Sequence, residues 1–142
     1  ALSGFKGSLL EGGHRVPAVA YWPGRIRPGT TTDQTVMGMD MFPTMASISG
    51  AKLPDDLKLD GVDLLDLMTE NNKLPQRTLF WRFENDKAVR KGPWKLLVRE
   101  TKTTLYNLDE DLAEKNDLAR TNPAMLKRLN DELAVWERRM SN

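Results

Sequence analysis

Residues 78–108 read TLFWRFENDKAVRKGPWKLLVRETKTTLYNL, and this stretch contains four short runs rich in aromatic and aliphatic residues. The runs are Thr78–Phe83, Lys87–Lys91, Trp94–Arg99 and Thr104–Leu108. Runs of this length and composition, separated by turn residues, are typical of β-strands. Gly92-Pro93 stands between the middle two runs and predicts a tight turn there. The stretch therefore predicts a small four-stranded antiparallel sheet.

A helix is predicted after this sheet. Asn122 can cap it, and Pro123 suits the first helical position, where a missing N–H costs nothing. Apolar residues then recur at spacings of three and four, namely Leu126, Leu129, Leu133, Trp136 and Met140. A helix with such a stripe must bury it, and one face of the sheet is the nearest apolar surface. The predicted fold class is therefore α+β, a sheet packed by a C-terminal helix.

A strand-loop-helix segment is predicted upstream. Val16–Trp22 is a short apolar run closed by Pro23-Gly24, which indicates a largely buried strand followed by a turn, and residues 24–33 read as loop. A helix then follows, with Asp40 as its cap, Pro43 in its first turn and Gly50 at its end. Its apolar residues at helical spacing, Met41, Met45 and Ile48, are expected to form its buried face.

The organisation of the chain changes between Ala51 and Gln76. Prolines, Asp60-Gly61 and Asn71-Asn72 interrupt this region, which has room for one short helix after Asp63. We therefore predict three parts: residues 1–52, a linker over 53–76, and a C-terminal subdomain over 77–142.

The segment Lys6-Gly-Ser-Leu-Leu-Glu11-Gly-Gly-His-Arg15 holds the main candidate site. Glycines at positions 4, 7, 12 and 13 allow the backbone to approach a ligand or another backbone segment closely. The ammonium group of Lys6 suits a sulfate or phosphate oxygen. A glycine-rich turn with a solvated lysine is the alternative that spacing alone leaves open. Glu11 and Arg15 flank Gly12 and Gly13, and we expect an ion pair or backbone hydrogen bonds from them to shape the loop.

Other kinds of site are poorly supported. The acidic positions Asp109, Asp111, Glu114 and Asp117 lack the spacing of an EF-hand and are expected to form a solvated turn. The glycines and lysine lack the register of a phosphate-binding P-loop. His14 is the single histidine, so it cannot build a histidine metal cluster, and no metal site is predicted in the chain.

Composition limits the class of protein. The chain has 142 residues, of which 39% are hydrophobic, enough to bury a core. The formal net charge of +1 lacks the strong basic field of nucleic-acid-binding proteins, so no nucleic-acid partner is predicted. No apolar run approaches the roughly 20 residues that span a bilayer. The absence of cysteine rules out disulfides and leaves the compartment open.

Taken together, the lysine loop and five further blocks resemble the type I sulfatases, the arylsulfatase-like branch of the alkaline phosphatase superfamily. The blocks, in order, are Ala18–Gly24, Met39–Thr44 continuing to Ser49–Ala51, Asp60–Leu64, Ala88–Lys95, and the pair Leu105–Leu108 and Glu114–Leu118. The resemblance runs over nearly the whole chain, and the ordered set is more specific than any one motif.

This resemblance implies hydrolysis of a sulfate ester, with Lys6 contacting the sulfate group. It implies that residues 1–52 end the α/β sulfatase domain and that residues 77–142 form the C-terminal subdomain. His14 stands at a variable position of the pattern and is a candidate substrate contact. Arg82 and Arg90 are either substrate-side groups or solvated residues of the sheet.

Sulfatases of this kind also use a calcium ion and a formylglycine made from Cys or Ser in a C/S-x-P-x-R motif. The chain contains no such motif, so both are expected in a preceding N-terminal part, and the chain is expected to be the C-terminal portion of a sulfatase, inactive alone. The expected partner is a small sulfate ester or a sulfated sugar. We also expect the isolated chain to self-associate through its first fifty residues, or to leave them mobile.

Two alternatives from other classes stay open. One is a phosphonate or phosphate monoester hydrolase of the same superfamily, in which a lysine would serve a phosphoryl oxygen equally well. The other is a catalytically silent binding or structural module.

Overall fold

The computed structural model describes residues 1–141. In chain order its elements are α1 (Glu11–His14), a 3₁₀ turn (Gly38–Asp40), α2 (Met41–Ser49), α3 (Leu65–Glu70), β1 (Thr78–Phe83), β2 (Asp86–Lys91), β3 (Trp94–Arg99), β4 (Lys102–Asn107) and α4 (Pro123–Met140). Contacts divide the chain into two compact units. The first comprises Ala1–Pro17 with the chain from Gln76 onward, and the second is Ala18–Pro75. Over the described residues, no helix combines the length and apolar character needed to cross a membrane.

The first unit contains the predicted sheet. Its four strands pair antiparallel with their neighbours in the order β1-β2-β3-β4, which confirms the meander. Strands β2 and β4 begin slightly before their predicted starts. Gly92 turns the chain between β2 and β3 with a φ of +56°, a conformation that glycine adopts without a side-chain penalty.

Helix α4 covers one face of the sheet, as predicted. Leu129 and Leu133 are buried against a cluster of Val89, Leu96 and Leu105. Met140, at the end of the predicted stripe, is 46% exposed because it lies beyond this cluster at the helix terminus. These apolar contacts fix α4 on the sheet.

The N-terminal cap of α4 differs from the prediction. Pro123 does begin the helix, but the side chain of Asn122 makes no capping hydrogen bond. That side chain donates from Nδ2 to Thr121 Oγ1, while the backbone carbonyl of Asn122 accepts from Leu126 N. Asn122 therefore starts the helix through its backbone alone.

The opposite face of the sheet is covered by the start of the chain. Leu9 is buried in a cluster with Ala88 of β2, Leu97 of β3, Tyr106 of β4 and Leu108, which directly follows β4. Residues 1–17 thus share a core with the sheet. The assignment of residues 1–52 to a larger α/β domain stays a prediction.

The strand predicted at Val16–Trp22 is not formed, and the prediction that it is buried is wrong for this structure. Val16, Val19 and Tyr21 are 77%, 95% and 89% exposed. A strand needs a neighbour to satisfy its backbone N–H and C=O groups. Within the described residues the ladder contains only β1 to β4, so this segment has no strand to pair with.

The second unit is organised by two buried polar residues. Asp40 accepts backbone hydrogen bonds from Met37 N at 2.7 Å and Val62 N at 3.0 Å. Thr44 Oγ1 donates to the Asp40 carbonyl at 2.6 Å and accepts from Leu64 N at 2.9 Å. Asp40 therefore caps the 3₁₀ turn before α2, and its side chain makes no capping bond to α2 itself, in contrast to the prediction.

The ends of the helices in this unit agree with the sequence. Gly50 ends α2 with a φ of +68°, and α3 occupies the predicted linker after Asp63. The predicted buried face of α2 is wrong, because Met41, Met45 and Ile48 are 50%, 51% and 36% exposed. Helical spacing identifies an apolar face but does not say what covers it.

Candidate functional site

Lys6 lies in a tight turn near the start of the first unit. Ser8 N donates to the Phe5 carbonyl at 2.9 Å and closes a four-residue turn with Lys6 and Gly7 at its centre. Gly7 has a φ of +89°, which a residue with a side chain rarely adopts. Lys6 is exposed, and its ammonium group makes no hydrogen bond or ion pair with the described residues. The turn thus presents a cation to solvent.

Gly12 and Gly13, two residues of α1, lie directly against the backbone on either side of this turn. Gly12 N donates to the Ser3 carbonyl at 2.7 Å, and an added Cβ at Gly12 would meet that same oxygen at 2.5 Å. A Cβ at Gly13 would collide with the Ser8 carbonyl oxygen. The two glycines are therefore needed because two backbone segments touch at these positions.

Glu11, the first residue of α1, is 1% exposed and is surrounded by basic side chains. Lys95 Nζ lies 2.8 Å from Glu11 Oε1, and His14 Nε2 lies 3.2 Å from the same oxygen. Arg15 Nη1 lies 3.3 Å from Glu11 Oε2, so these two side chains form an ion pair, and Arg90 Nη1 lies 3.6 Å from the same oxygen. Glu11 is the centre of a buried charge cluster.

A second buried carboxylate completes the cluster. Lys95 Nζ also lies 2.8 Å from Glu114 Oε1, and both side chains are 0% exposed. The other oxygen, Glu114 Oε2, accepts the backbone N–H of Glu11 at 2.6 Å. One lysine of β3 is thus paired with two carboxylates that lie 103 positions apart in the chain.

The acidic segment is an ordered loop, and the prediction of a solvated turn is wrong for Glu114. Asp111 Oδ2 accepts from the N–H groups of Lys115 and Asn116, at 2.7 Å each. Asp117 Oδ1 accepts from Leu105 N at 3.1 Å. The side chains bind backbone N–H groups within the loop and its neighbouring strand. Among residues 1–141 there is no group of three His, Cys, Asp or Glu side chains that could hold a metal ion.

The cluster shifts the ionisation of its members. Burial alone would raise the pKa of Glu11, but hydrogen bonds from His14 and Lys95, with the charges of Lys95 and Arg90, outweigh it and hold that pKa well below its usual range. Burial lowers the pKa of Arg90, while the Glu11 charge opposes that change. Glu11 therefore stays ionised inside the protein at neutral pH.

His14 belongs to this cluster. Its Nε2 lies 3.1 Å from Lys95 Nζ as well as 3.2 Å from Glu11 Oε1, and its ring lies 4.7 Å from the ring of Trp81 at an angle of 50°. The side chain is 17% exposed, and Nδ1 is buried without a hydrogen-bond partner in the described structure. His14 thus contacts Glu11 and Lys95, the two residues at the centre of the charge cluster. Its predicted contact with substrate stays a prediction.

Sequence reasoning missed Lys95 and Glu114. The signal for Lys95 was present, since it interrupts the apolar run Trp94–Val98 at a position that shares a sheet face with Leu97. A charge at an inward position of a strand indicates a buried partner. Arg90 is part of the cluster, whereas Arg82 is exposed.

A family model and two curated relatives all match this chain to one family of proteins. A family model described as N-sulphoglucosamine sulphohydrolase, C-terminal, matches residues 5–138. A sulfatase of Formosa agariphila is 33% identical over 156 aligned positions, which cover 92% of this chain and 28% of that protein. Arylsulfatase A of Bos taurus is 47% identical over 76 residues, which cover 54% of this chain and 15% of that protein.

Solved structures agree with the fold. The crystal structure of Ps i-CgsB matches with a TM-score of 0.81 and 31% identity, over 95% of this chain and 31% of that chain. A second structure of Ps i-CgsB is a complex with k-i-k-neocarrahexaose. The chain therefore spans less than a third of the length of each of these relatives.

Proposed function

Because the chain belongs to the sulfatase family through its match to the N-sulphoglucosamine sulphohydrolase C-terminal domain, we propose that it serves the hydrolysis of sulfate esters. In this proposal it forms the C-terminal portion of the enzyme and supplies the lysine that contacts the sulfate group. Two relatives support this proposal. A protein named sulfatase aligns with 92% of this chain, and an arylsulfatase A aligns with 54% of it.

The observation that carries the proposal is that Lys6 is exposed and unpaired among the described residues. Lys95 is fully buried between two carboxylates, so it cannot reach a ligand. Lys6 is exposed on a hydrogen-bonded turn and has no partner among the described residues. A cation held in this way can bind an anion without first breaking an internal ion pair.

In the proposed reaction, water is added across the S–O bond of the ester, which yields an alcohol and inorganic sulfate. The ammonium group of Lys6 neutralises charge on the sulfate oxygens and donates a hydrogen bond to the oxygen that departs with the alcohol. Such a donor is worth most where charge develops in the transition state. Calcium and a formylglycine made from Cys or Ser are expected in a preceding part of the enzyme, since the residues described here offer no group of three metal-binding side chains and the chain has no C/S-x-P-x-R motif.

The proposed substrate is a sulfated sugar. The support is the structure of Ps i-CgsB in complex with k-i-k-neocarrahexaose. Ps i-CgsB is 31% identical to this chain, and the match covers 95% of this chain. The lysine turn carries no feature that selects a particular sugar. The sugar class therefore rests on this similarity.

The test compares sulfate and phosphate esters of one phenol as substrates of the full-length sulfatase that carries this sequence. We expect kcat/KM for the sulfate ester to exceed that for the phosphate ester. A preference for the phosphate or a phosphonate ester would support a phosphoryl hydrolase instead. The purified 142-residue chain should turn over neither ester, and turnover above a buffer control would contradict the assignment of the nucleophile to another part of the enzyme.

A further inference from the structure

Lys95 is a fully buried cation in the middle of strand β3. Its ammonium group contacts Glu11 Oε1 and Glu114 Oε1 at 2.8 Å and His14 Nε2 at 3.1 Å. Burying a lysine with two carboxylates adds little stability compared with apolar residues of the same size, because each charge loses its hydration. The cluster therefore calls for an explanation other than stability.

The loop that contains Lys6 is tied at both ends to the same place. At its start, Ser3 Oγ donates to the Ala113 carbonyl at 2.6 Å. At its end, Glu11 N donates to Glu114 Oε2 at 2.6 Å, and the Glu11 carboxylate is held by Lys95. Residues 3–11 thus form a closed loop whose two anchors are adjacent residues of one ordered segment.

The path from this anchor to Lys6 is short. Glu11 begins α1, and the next residues, Gly12 and Gly13, touch the backbone of Ser3 and Ser8. Ser8 closes the turn that holds Lys6. A displacement of Glu11 is therefore transmitted to the turn through contacts that have no free space to absorb it.

We propose that Lys95 is a positioning residue for Lys6, acting through Glu11 and supported by Glu114. This inference rests on the proposed function, in which Lys6 contacts the sulfate group. It assigns to the C-terminal sheet a role in catalysis that does not require the sheet to touch the substrate. A misplacement of about 1 Å at a catalytic group can cost about 10²-fold in rate, so even a modest shift of the turn should be measurable.

The first arm of the test uses the 142-residue chain and measures amide hydrogen exchange. In Lys95→Met, we expect the amides of Ser8, Gly12 and Gly13 to exchange at least about tenfold faster. Two buried carboxylates lose their cation in this variant, so the amides of the strands are followed alongside them to measure the accompanying loss of global stability. Lys127→Met is the matched control, because Lys127 is an exposed lysine whose ion pair is with Asp131 on α4. Unchanged protection at the three loop amides would overturn the proposal.

The second arm uses the full-length sulfatase and a double-mutant cycle of Lys6→Ala with Lys95→Met. We expect Lys95→Met to lower kcat by about 10²-fold with little change in KM, and to lower it no further once Lys6 is replaced. Additive losses in the cycle would mean that Lys95 does not act through Lys6, and would overturn the proposal.

A second variant guards against loss of folding. Lys95→Arg keeps the positive charge between the two carboxylates but has a different shape, so we expect a folded enzyme with a lowered kcat and the same non-additivity with Lys6→Ala. Wild-type kcat from Lys95→Arg would contradict a positioning role. If the wild-type enzyme hydrolyses no sulfate ester, the proposed function fails, whereas the exchange measurements still decide whether Lys95 orders the loop.

Discussion

Glu11 and Lys95 stand 84 positions apart in the chain, and their side chains meet at 2.8 Å with exposures of 1% and 0%. The contact joins the first helix to the third strand of the sheet. Because both groups are charged and cut off from water, removing one leaves the other buried with one charge partner fewer, which costs free energy. The loop that carries Lys6 and the four-stranded sheet are in this way one structural unit, although they are far apart in the sequence.

Replacement of Lys6 tests its place in the reaction. In the full-length enzyme, Lys6→Ala should lower kcat by about 10²–10³-fold, the scale for removing one preorganised donor from a developing charge. Folding should not change, because Lys6 is exposed. Steady-state kinetics on a sulfate ester measures the effect, with Lys58→Ala, an exposed lysine of the second unit, as the control. An unaltered kcat/KM would remove Lys6 from the site.

Gly13→Ala tests the close packing beneath the turn. The new methyl group would collide with the Ser8 carbonyl, so we expect the variant to lose about 1–3 kcal/mol or more of its free energy of unfolding. Urea denaturation followed by circular dichroism measures the loss. Gly38→Ala is the control, because a Cβ there meets nothing within 4 Å and should change stability by about 0.5 kcal/mol at most. Equal stability of the two variants would contradict the described packing.

Acid should destabilise the protein through Glu11. Its pKa in the folded state is held well below its usual range, whereas an unfolded glutamate titrates near about 4.3. The unfolded chain then binds more protons at low pH, so the contribution of Glu11 is complete above about pH 5 and is lost progressively as the pH falls. Glu11→Gln should therefore lose less stability between about pH 5 and pH 3 than the wild type.

The comparison requires urea denaturation at each pH. Glu110→Gln serves as the control, since the exposed Glu110 side chain has no hydrogen bond or ion pair within the described residues. It should follow the wild-type curve. Parallel acid losses in Glu11→Gln and the wild type would show that the cluster does not bind Glu11 in its ionised form.

The contact of α4 with the sheet can be measured directly. Leu129 is 0% exposed, so Leu129→Ala should cost about 2–5 kcal/mol of unfolding free energy through lost burial and a residual cavity. Val135, on the same helix, is 50% exposed, and Val135→Ala should cost less than about 1 kcal/mol. Thermal and urea denaturation give both values. Similar costs for the two variants would mean that α4 is not packed on the sheet as described.

The exposed apolar face of α2 predicts association of the isolated chain. Phe42 and Met45 are 56% and 51% exposed, and apolar patches of this kind favour contact between molecules. Sedimentation or light scattering should therefore show a mass that rises with concentration. The double change Phe42→Ser and Met45→Ser should reduce that rise, whereas Leu57→Ser, at an exposed leucine outside the helix, should not. A wild-type chain that stays strictly monomeric would contradict the prediction.

Local patterns predicted those parts of the fold that are stabilised by near neighbours. The strands and their turn at Gly92 follow from composition and spacing, and Leu129 and Leu133 bury as the helical stripe requires. Each of these features depends on residues close in sequence, or on one apolar face meeting another. The resemblance to sulfatases could also be recognised from sequence, because each of its blocks is a short run of neighbouring residues.

The parts that sequence did not predict depend on distant partners. Lys95 was not recognised because its carboxylates lie on other segments of the chain, one of them 84 positions away. Val19 and Met45 were expected to be buried because they are apolar, but nothing in their local pattern states which surface covers them. Glu114 looked like one of several loop acids, and only the fold shows that it points inward.

The shared burial of Glu11 and Lys95 also has a consequence for recombining sulfatases. A chimera whose crossover lies between residues 17 and 76 takes Glu11 from one parent and Lys95 from the other. If the two parents differ at these positions, a carboxylate is buried without its cation. Ala18–Pro75 is a separate compact unit, and an exchange confined to it keeps Glu11 and Lys95 from one parent. The segments on either side of this unit should be inherited together.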